Sequence, residues 1–500
     1  MLWVGKIVVI LYFAILGVLS LYGLHRYVLV YFFYRHKRDQ PRPKALFETL
    51  PRITVQLPLY NEMYVVGRLI DAVCALDYPR ELLEIQVLDD STDACQDEAR
   101  RKVEEMREKG HDIHYLHRTD RHGFKAGALD EGLKTATGQY VAIFDPDFVP
   151  GPEILRNAID FFTDDKVGMV QARWGHINRD YSVLTKIQAI LLDGHFVVEH
   201  TARNRSGRYF NFNGTAGIWR RRAIEDAGGW QHDTLTEDLD LSYRAQLHGW
   251  QFVYLLDLVT PAELPVEMNA FKAQQHRWAK GALQTGIKLL PTIWRSRIPL
   301  ATKLEATFHL TGNVAYLLML VLCVIMLPAT LLRGQLGWHR SYYVDLSLFI
   351  AATVSVCSFY VVSQLEAYED WLKRLKYFPM VIALGMGLCI NNAKAVLEAL
   401  LGYESGFVRT PKYNVTGRGD QWKQKKYKSK TQVLAWLELA LGGYFSLAIY
   451  SAWQYEMYGS IPFLLIFPAG FFYVSFLSFF QGGLRPQLPV TAPPEPVTVG

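Results

Sequence analysis

Cysteine is scarce: the chain has five in 500 residues, with no CxxC pair and no metal-ligand spacing. That excludes a disulfide-stapled module and a cysteine-held metal. Charge is thin as well, at 20% of residues, against about 25% in ordinary soluble chains. The net charge of +5 is too small to imply a nucleic-acid partner. No GxGxxG follows a strand, so a dinucleotide cofactor has no support, and no GxxxxGK[ST] occurs, which removes a P-loop ATPase. There is no internal repeat. What the chain does have is apolar residues, half of the total, which excludes a disordered or collagen-like chain.

Those residues are unevenly placed. Apolar runs cover Ile7–Leu24, continuing through Tyr27–Tyr34, and then Asn313–Leu332, Tyr343–Val362, Val433–Trp453 and Ile461–Phe480. A helix of about 20 residues crosses a bilayer core, so five spans are expected. The first run lacks a small-residue cleavage site and reads as an anchor, not a removed signal. Five Lys/Arg follow between Arg35 and Lys44, and positive flanks stay cytosolic. A further run, Phe378–Ile390, has 13 residues and turns amphipathic after Asn391, which predicts an interfacial or re-entrant helix over 378–400. The eight Lys/Arg of 402–430 then stay on the cytosolic side. The expected organisation is a membrane helix over 1–34, a cytosolic domain over 35–295 and an interfacial helix over 296–312. Two spans over 313–364, an interfacial and loop segment over 378–430, and two spans over 431–482 follow. The tail 485–500 holds five prolines and is expected to be disordered.

Between the first two spans, β-rich runs alternate with helical periods. Ile53–Leu57, Ile85–Leu88, His114–Leu116 and Tyr140–Phe144 read as strands, with helices over Val65–Leu76, Ala94–Lys109 and Lys125–Ala136. Such alternation predicts a mostly parallel α/β sheet, whose ligands sit beyond the carboxyl ends of its strands. Acidic clusters stand at two of those ends. Asp145-Pro-Asp147 can share one hard divalent ion, Mg²⁺ or Mn²⁺, with phosphate oxygens completing the shell; its plain reading is a turn with two solvated carboxylates. Asp89-Asp90-Ser-Thr-Asp93 can bind a base or ribose, or simply cap the next helix. Thr236-Glu237-Asp238 opens a helical stretch, where acids favour the helix dipole and a carboxylate can also act as a general base. Gln274-Gln-His-Arg277-Trp278 joins an amide, a planar cation suited to phosphate and an indole on which a sugar can stack; otherwise it is an amphipathic helix with an anchoring Trp.

In this order, inside a membrane-flanked α/β domain, the set resembles the processive membrane glycosyltransferases of family 2, the cellulose synthase superfamily. Its D, DxD, TED and QxxRW motifs match Asp90, Asp145/Asp147, Thr236–Asp238 and Gln274–Trp278. Val87–Asp93, Phe124-Lys-Ala-Gly-Ala-Leu129, Phe212-Asn-Gly-Thr-Ala-Gly217 and the QQHRW form are similar to the cellulose synthase-like A and C branches, the glucomannan and xyloglucan-backbone synthases. The resemblance implies a GT-A domain inserted between transmembrane helices and an inverting transfer from a nucleotide sugar, UDP-glucose or GDP-mannose. It implies that Asp89 and Asp90 hold the base and ribose, and that Asp145 and Asp147 hold the metal, with Lys125 near the diphosphate. Asp238, beside Glu237, would be the base. Gln274 and Arg277 would engage the diphosphate and Trp278 the acceptor, while Phe212, Asn213, Gly214 and Thr215 would line the acceptor pocket. Tyr413-Asn-Val415-Thr416-Gly-Arg418 is similar to the family's gating loop, Phe-x-Val-Thr-x-Lys, with Tyr for Phe and Arg for Lys.

The partners implied are a nucleotide-sugar donor, a growing polysaccharide and membrane lipids. The membrane would be the inner membrane of a bacterium or the Golgi of a plant. Two rivals remain at this stage: transfer of a single sugar to a lipid acceptor, and a non-catalytic nucleotide-sugar-binding scaffold. A retaining glycosidase is disfavoured, since it needs a nucleophile and an acid about 5 Å apart and no metal-like DxD.

Overall fold

The computed structural model describes residues 2–338, 341–404, 409–417, 419–420, 422, 425, 433–454, 456 and 458–481. Arg418 and the proline-rich tail 485–500 lie outside the described residues. Strands β1 (Ile53–Leu59), β2 (Leu83–Asp89), β3 (Asp112–His117) and β4 (Tyr140–Ile143) pair in parallel. Helices Val66–Cys74, Cys95–Glu108 and Phe124–Thr135 connect them. Three further strands, β5 (Val167–His176), β6 (Gly217–Arg220) and β7 (Gln251–Ala262), complete one sheet in the order β3-β2-β1-β4-β6-β5-β7. β6 runs antiparallel to both β4 and β5, and β7 pairs in parallel with β5. The parallel half follows the sequence alternation; the antiparallel insertion does not appear in it.

Period-two alternation divides the sheet between two cores. Ile53, Val55 and Leu57 of β1 and Ile85 and Val87 of β2 pack against helices Val66–Cys74 and Cys95–Glu108. On the opposite face Val141, Ile143, Met169 and Trp219 meet Leu129 and Leu133 of the third helix and Leu241 and Ala245 of helix Glu237–Leu247. That second face also carries a buried polar ladder. Thr54 Oγ1 donates to Glu84 at 2.6 Å and Gln56 Nε2 to Gln86 at 3.1 Å. Burial alone would raise the Glu84 pKa, but hydrogen bonds from Thr54 and Thr137 hold it below the ordinary carboxylate value. A one-residue slip would strand these groups without partners, so the ladder fixes register.

Among the described residues, five helices are long and apolar enough to cross a bilayer, or six if one bent pair is a single span: Gly5–His36, Val314–Arg333, Tyr343–Ala367, Leu434–Gln454 and Tyr458–Gln481. They cover the five apolar runs. The stretch expected to form an interfacial or re-entrant helix is broken in the middle. Trp371–Gly387 and Cys389–Leu400 form a pair bent by 41°. Val381, Leu384 and Leu388 are buried with Ile187, Phe271 and Val474, while Val396 and Ala399 pack on Leu283. The bent pair thus packs on both the soluble domain and the last apolar helix, with the geometry of a broken span or a re-entrant loop. Helix Leu300–Thr311, by contrast, leaves Leu300 and Leu304 exposed while Ala306 and Leu310 pack on Leu289 and Ile293.

The soluble domain leaves the sheet through helix Met268–Arg295. Lys272 on this helix donates to Glu438 Oε1 at 2.6 Å, and both side chains are fully buried. Its other contact is the Ser478 hydroxyl at 3.4 Å. Removing one partner strands a buried charge. Glu438→Ala should therefore cost about 3–5 kcal/mol, read as a lower unfolding midpoint in detergent. The paired exchange Lys272→Met with Glu438→Leu should recover most of the loss. An unchanged midpoint in Glu438→Ala would contradict this role.

Candidate active site

An open cavity, about 1110 Å³ counting the solvent space at its mouth, lies beyond the carboxyl ends of β1, β2 and β4. Asp90, Lys125, Asp145, Asp147, Asn213, Gly214, Glu237, Asp238, Gln274, Arg277 and Trp278 all line it. Each comes from a place that local structure dictates. Asp90 follows the end of β2, and the two acids of Asp145-Pro-Asp147 follow β4. Glu237 and Asp238 form the first turn of helix Glu237–Leu247, and the Gln274–Trp278 face lies on helix Met268–Arg295.

Every pair of acids in the cavity faces cations. Lys125 Nζ sits 2.5 Å from Asp145 Oδ1 and donates to the Gly214 carbonyl at 2.9 Å. Burial by itself would lower the Lys125 pKa; the facing Asp145 and Glu237 carboxylates hold it above the ordinary value. Lys412 Nζ lies 2.6 Å from Asp147 Oδ2. Arg118 grips Asp90 through both carboxylate oxygens, at 2.8 and 2.6 Å. Burial lowers the pKa of Arg277, which faces Glu237, Asp145 and Asp238.

Asp238 is strongly perturbed. Burial, and then the neighbouring Glu237, push its pKa up to about 7. Its Oδ1 accepts the Leu239 N–H at 2.8 Å. Gly214, at φ +81°, passes so close that a Cβ there would stand 3.0 Å from Asp238 Oδ2 and 3.3 Å from Lys125 Nζ. A left-handed backbone in that position favours glycine. A carboxylate that titrates near neutrality in a cleft is suited to accept a proton from a hydroxyl.

A family profile described as "Glycosyltransferase like family 2" matches residues 51–281. These residues form a glycosyltransferase family 2 domain. Glucomannan 4-beta-mannosyltransferase 1 of Oryza sativa subsp. japonica is 39% identical over 298 residues, 58% of this chain and 57% of that protein. Glucomannan 4-beta-mannosyltransferase 2 of Arabidopsis thaliana is 44% identical over 252 residues, 49% of this chain and 47% of that protein. The chain thus spans about half the length of these curated relatives. Among solved structures, the mannosyltransferase PcManGT from Pyrobaculum calidifontis, in complex with GDP-Man and Mn2+, superposes with a TM-score of 0.51 at 22% identity. The match covers 78% of this chain and 99% of that one, and shows that the fold is GT-A.

Within the glycosyltransferase domain several expected residues turn away from the cavity. Asp89 is fully buried; its carboxylate accepts Tyr115 Oη at 2.6 Å and Ser91 N–H at 2.9 Å, so it closes the strand end. Asp93 accepts the Cys95 N–H at 2.9 Å, a local turn bond at the start of helix Cys95–Glu108. Phe212 is a core residue, edge-on to Trp219 at 5.6 Å. Thr215 is buried, and its hydroxyl accepts the Asp145 N–H at 2.8 Å. Of the expected acceptor pocket, only Asn213 and Gly214 reach the cavity.

The gate-like segment differs most. Tyr413 is buried rather than spread over the site: its Oη donates to Glu267 at 3.0 Å, and its ring packs with Trp422. Val415 is buried in the same cluster. Thr416 donates to Asp420 from its N–H at 2.7 Å and from its hydroxyl at 3.2 Å, away from the cavity. The residues just before them enter instead: Arg409, Thr410 and Lys412 line the cavity, with Arg409 3.3 Å from Glu62. Tyr60, Glu62, Arg121 and Trp174 also line it and were missed from sequence. Arg121 stands in the stretch directly before Phe124-Lys125, and Lys412 directly before Tyr413. Adjacency to a motif was the available signal.

Thr215 offers a structural test. Thr215→Val keeps the shape but removes the acceptor for the Asp145 N–H. An unsatisfied buried donor costs about 1–3 kcal/mol. The variant should unfold at a lower midpoint and bind nucleoside diphosphate more weakly, because the Asp145 backbone loses its anchor. Wild-type values of both in calorimetry would remove Thr215 from this role.

Proposed function

We propose that this chain is an inverting, metal-dependent membrane glycosyltransferase that polymerises a nucleotide sugar into a β-linked polysaccharide of the mannan or glucomannan type. One observation carries the reading: a single cavity unites a carboxylate poised near neutrality, Asp238, with a pair of acids at a strand end and several cations. The names of the two plant relatives favour a mannosyl donor, and we take it to be GDP-mannose rather than UDP-glucose.

Asp238 takes the proton from the attacking sugar hydroxyl, whose oxygen forms the new bond to the anomeric carbon. The bond to the diphosphate breaks on the opposite side, and the nucleoside diphosphate leaves with the electron pair. One base and one displacement give one inversion. Asp145 and Asp147 would hold the divalent ion, which supplies positive charge to the leaving phosphates. Two carboxylates with room for phosphate oxygens suit Mg²⁺ or Mn²⁺, and the ion pairs that Lys125 and Lys412 make with them are consistent with a site for positive charge. Lys125 and Arg277 stabilise the same developing charge. Asp90, steadied by Arg118, faces the nucleoside, Gln274 the diphosphate and Trp278 the acceptor sugar. In this reading the five apolar helices span the membrane, the cavity lies on the cytosolic side, and the helices receive the polymer as it grows.

Two outcomes test this reading. Asp238→Asn should lower transfer by at least about 10²-fold, the value of a general base, while nucleotide binding is kept. In the wild type the pKa is raised, so Asp238 is protonated below about pH 7. The transfer rate should therefore fall as the pH drops through that value and level off above it. A pH-independent rate, or near wild-type turnover in Asp238→Asn, would remove this base from the mechanism.

EDTA, Asp145→Ala and Asp147→Ala should each abolish transfer and weaken nucleoside-diphosphate binding. Added Mn²⁺ or Mg²⁺ should reverse only the effect of EDTA. Activity insensitive to all three would return the acids to a plain turn.

A further inference from the structure

Residues 183–205 form a broken helix. Val183–Asp193 is α-helical, Gly194–Glu199 is a π-helical turn, and His200–Arg205 resumes the α-helix. Hydrogen bonding from i to i+5 brings side chains five residues apart onto one side. The His195 and His200 rings accordingly lie 4.2 Å apart, centroid to centroid. Gly194 lets the widened turn sit against helix Tyr342–Ala367, since a Cβ there would stand 2.6 Å from Phe359 and 2.7 Å from Tyr360.

Both rings close on Asn213. The Asn213 amide donates to His195 Nε2 at 3.0 Å, and His200 Nε2 donates to Asn213 Oδ1 at 2.5 Å. His195 Nδ1 donates in turn to Glu199 Oε2 at 3.0 Å. The direction of this chain is forced from one end. An ionised Glu199 only accepts, so His195 carries its proton on Nδ1 and accepts at Nε2. The carbonyl of Asn213 must then face His200, whose Nδ1 is buried without a partner. Both imidazoles are neutral, as the chain requires: burial pushes His200 down to about 3 and His195 well below the ordinary range.

The far end is tied to the membrane helix. Glu199 pairs with Arg203 at 3.1 Å and with Arg26. Arg203 donates to Glu305 at 2.9 Å, and His25 lies 2.9 Å from the same carboxylate. His25 and Arg26 belong to helix Leu2–His36. A carboxamide has two N–H groups and two lone pairs. The two histidines use one of each, which leaves one of each on a residue that lines the cavity next to Gly214 and Asp238.

We propose that His195 and His200 are positioning residues for the acceptor: they lock the Asn213 carboxamide so that its remaining N–H and lone pair bind hydroxyls of the attacking sugar beside Asp238. The proposal rests on the transfer reading above. It makes the π-turn a device of the acceptor side, and it gives the donor side no part in the clamp.

The test uses the full chain in lipid nanodiscs, with GDP-mannose as donor and short β-linked manno-oligosaccharides as acceptor. Transfer to the oligosaccharide is compared with hydrolysis of the donor by water. His200→Phe keeps a ring but loses the donor N–H. It should raise the acceptor KM about tenfold, the effect of one lost hydrogen bond, with donor KM and hydrolysis unchanged. Asn213→Ala should raise the acceptor KM at least as much, and the double variant should be no worse than Asn213→Ala alone. His200→Gln, which can still donate to Asn213, should recover part of the loss. A folded His200→Phe with an unchanged ratio of transfer to hydrolysis overturns the clamp, as does an equal loss of both activities. If the clamp fails while Asp238→Asn still abolishes transfer, the transfer reading stands without it. If Asp238→Asn leaves transfer intact, that reading itself falls.

Discussion

Crowded carboxylates set the terms for this molecule. Asp145, Asp147, Glu237, Asp238 and Glu62 all face one cavity. Acids that share one cleft disfavour one another's ionisation, and burial pushes Glu62 up to about 8. The arrangement persists because cations reach it from separate parts of the chain. Lys125 comes from the third helix of the sheet, Arg277 from the helix leaving it, and Arg409 and Lys412 from beyond the bent helix pair. The cavity is therefore complete only when the late segments dock on the early domain.

That dependence explains where the structure places its buried bracing. Lys272 and Glu438 pin the exit helix to an apolar helix. Lys280 on the same helix pairs with Glu398 at 3.1 Å, on the far arm of the bent pair. Tyr413 is held by Glu263 at its N–H and by Glu267 at its hydroxyl, 2.8 and 3.0 Å away. These contacts do no chemistry. They fix the positions from which Arg277 and Lys412 meet the acids, and a displaced charge is felt strongly in a water-poor cleft.

Much of this was legible in the sequence. The strands of the parallel half announced themselves by apolar runs, and acids at their ends marked the ligand side. Residues of all four motifs line one cavity. Parity along extended segments was not legible. Successive residues of an extended chain point to opposite sides, and a motif does not state which side is inward. Asp90 enters the cavity while Asp89 turns to Tyr115; Asn213 enters while Phe212 joins the core; Lys412 enters while Tyr413 turns to Glu267. The strands β5, β6 and β7 were hidden for another reason. β6 has four residues, and its antiparallel place is set by pairing with strands distant in sequence. The π-turn is likewise silent, because its residues read as ordinary helix.

The most direct measurement is the chemical identity of the product. Membranes containing the protein are incubated separately with radiolabelled GDP-mannose and radiolabelled UDP-glucose, and the products are extracted, digested and examined by NMR for anomeric configuration. The account predicts an alcohol-insoluble, β-linked polymer from GDP-mannose that an endo-β-mannanase degrades. Label confined to an organic-soluble glycolipid, or an α-linked product, would contradict it.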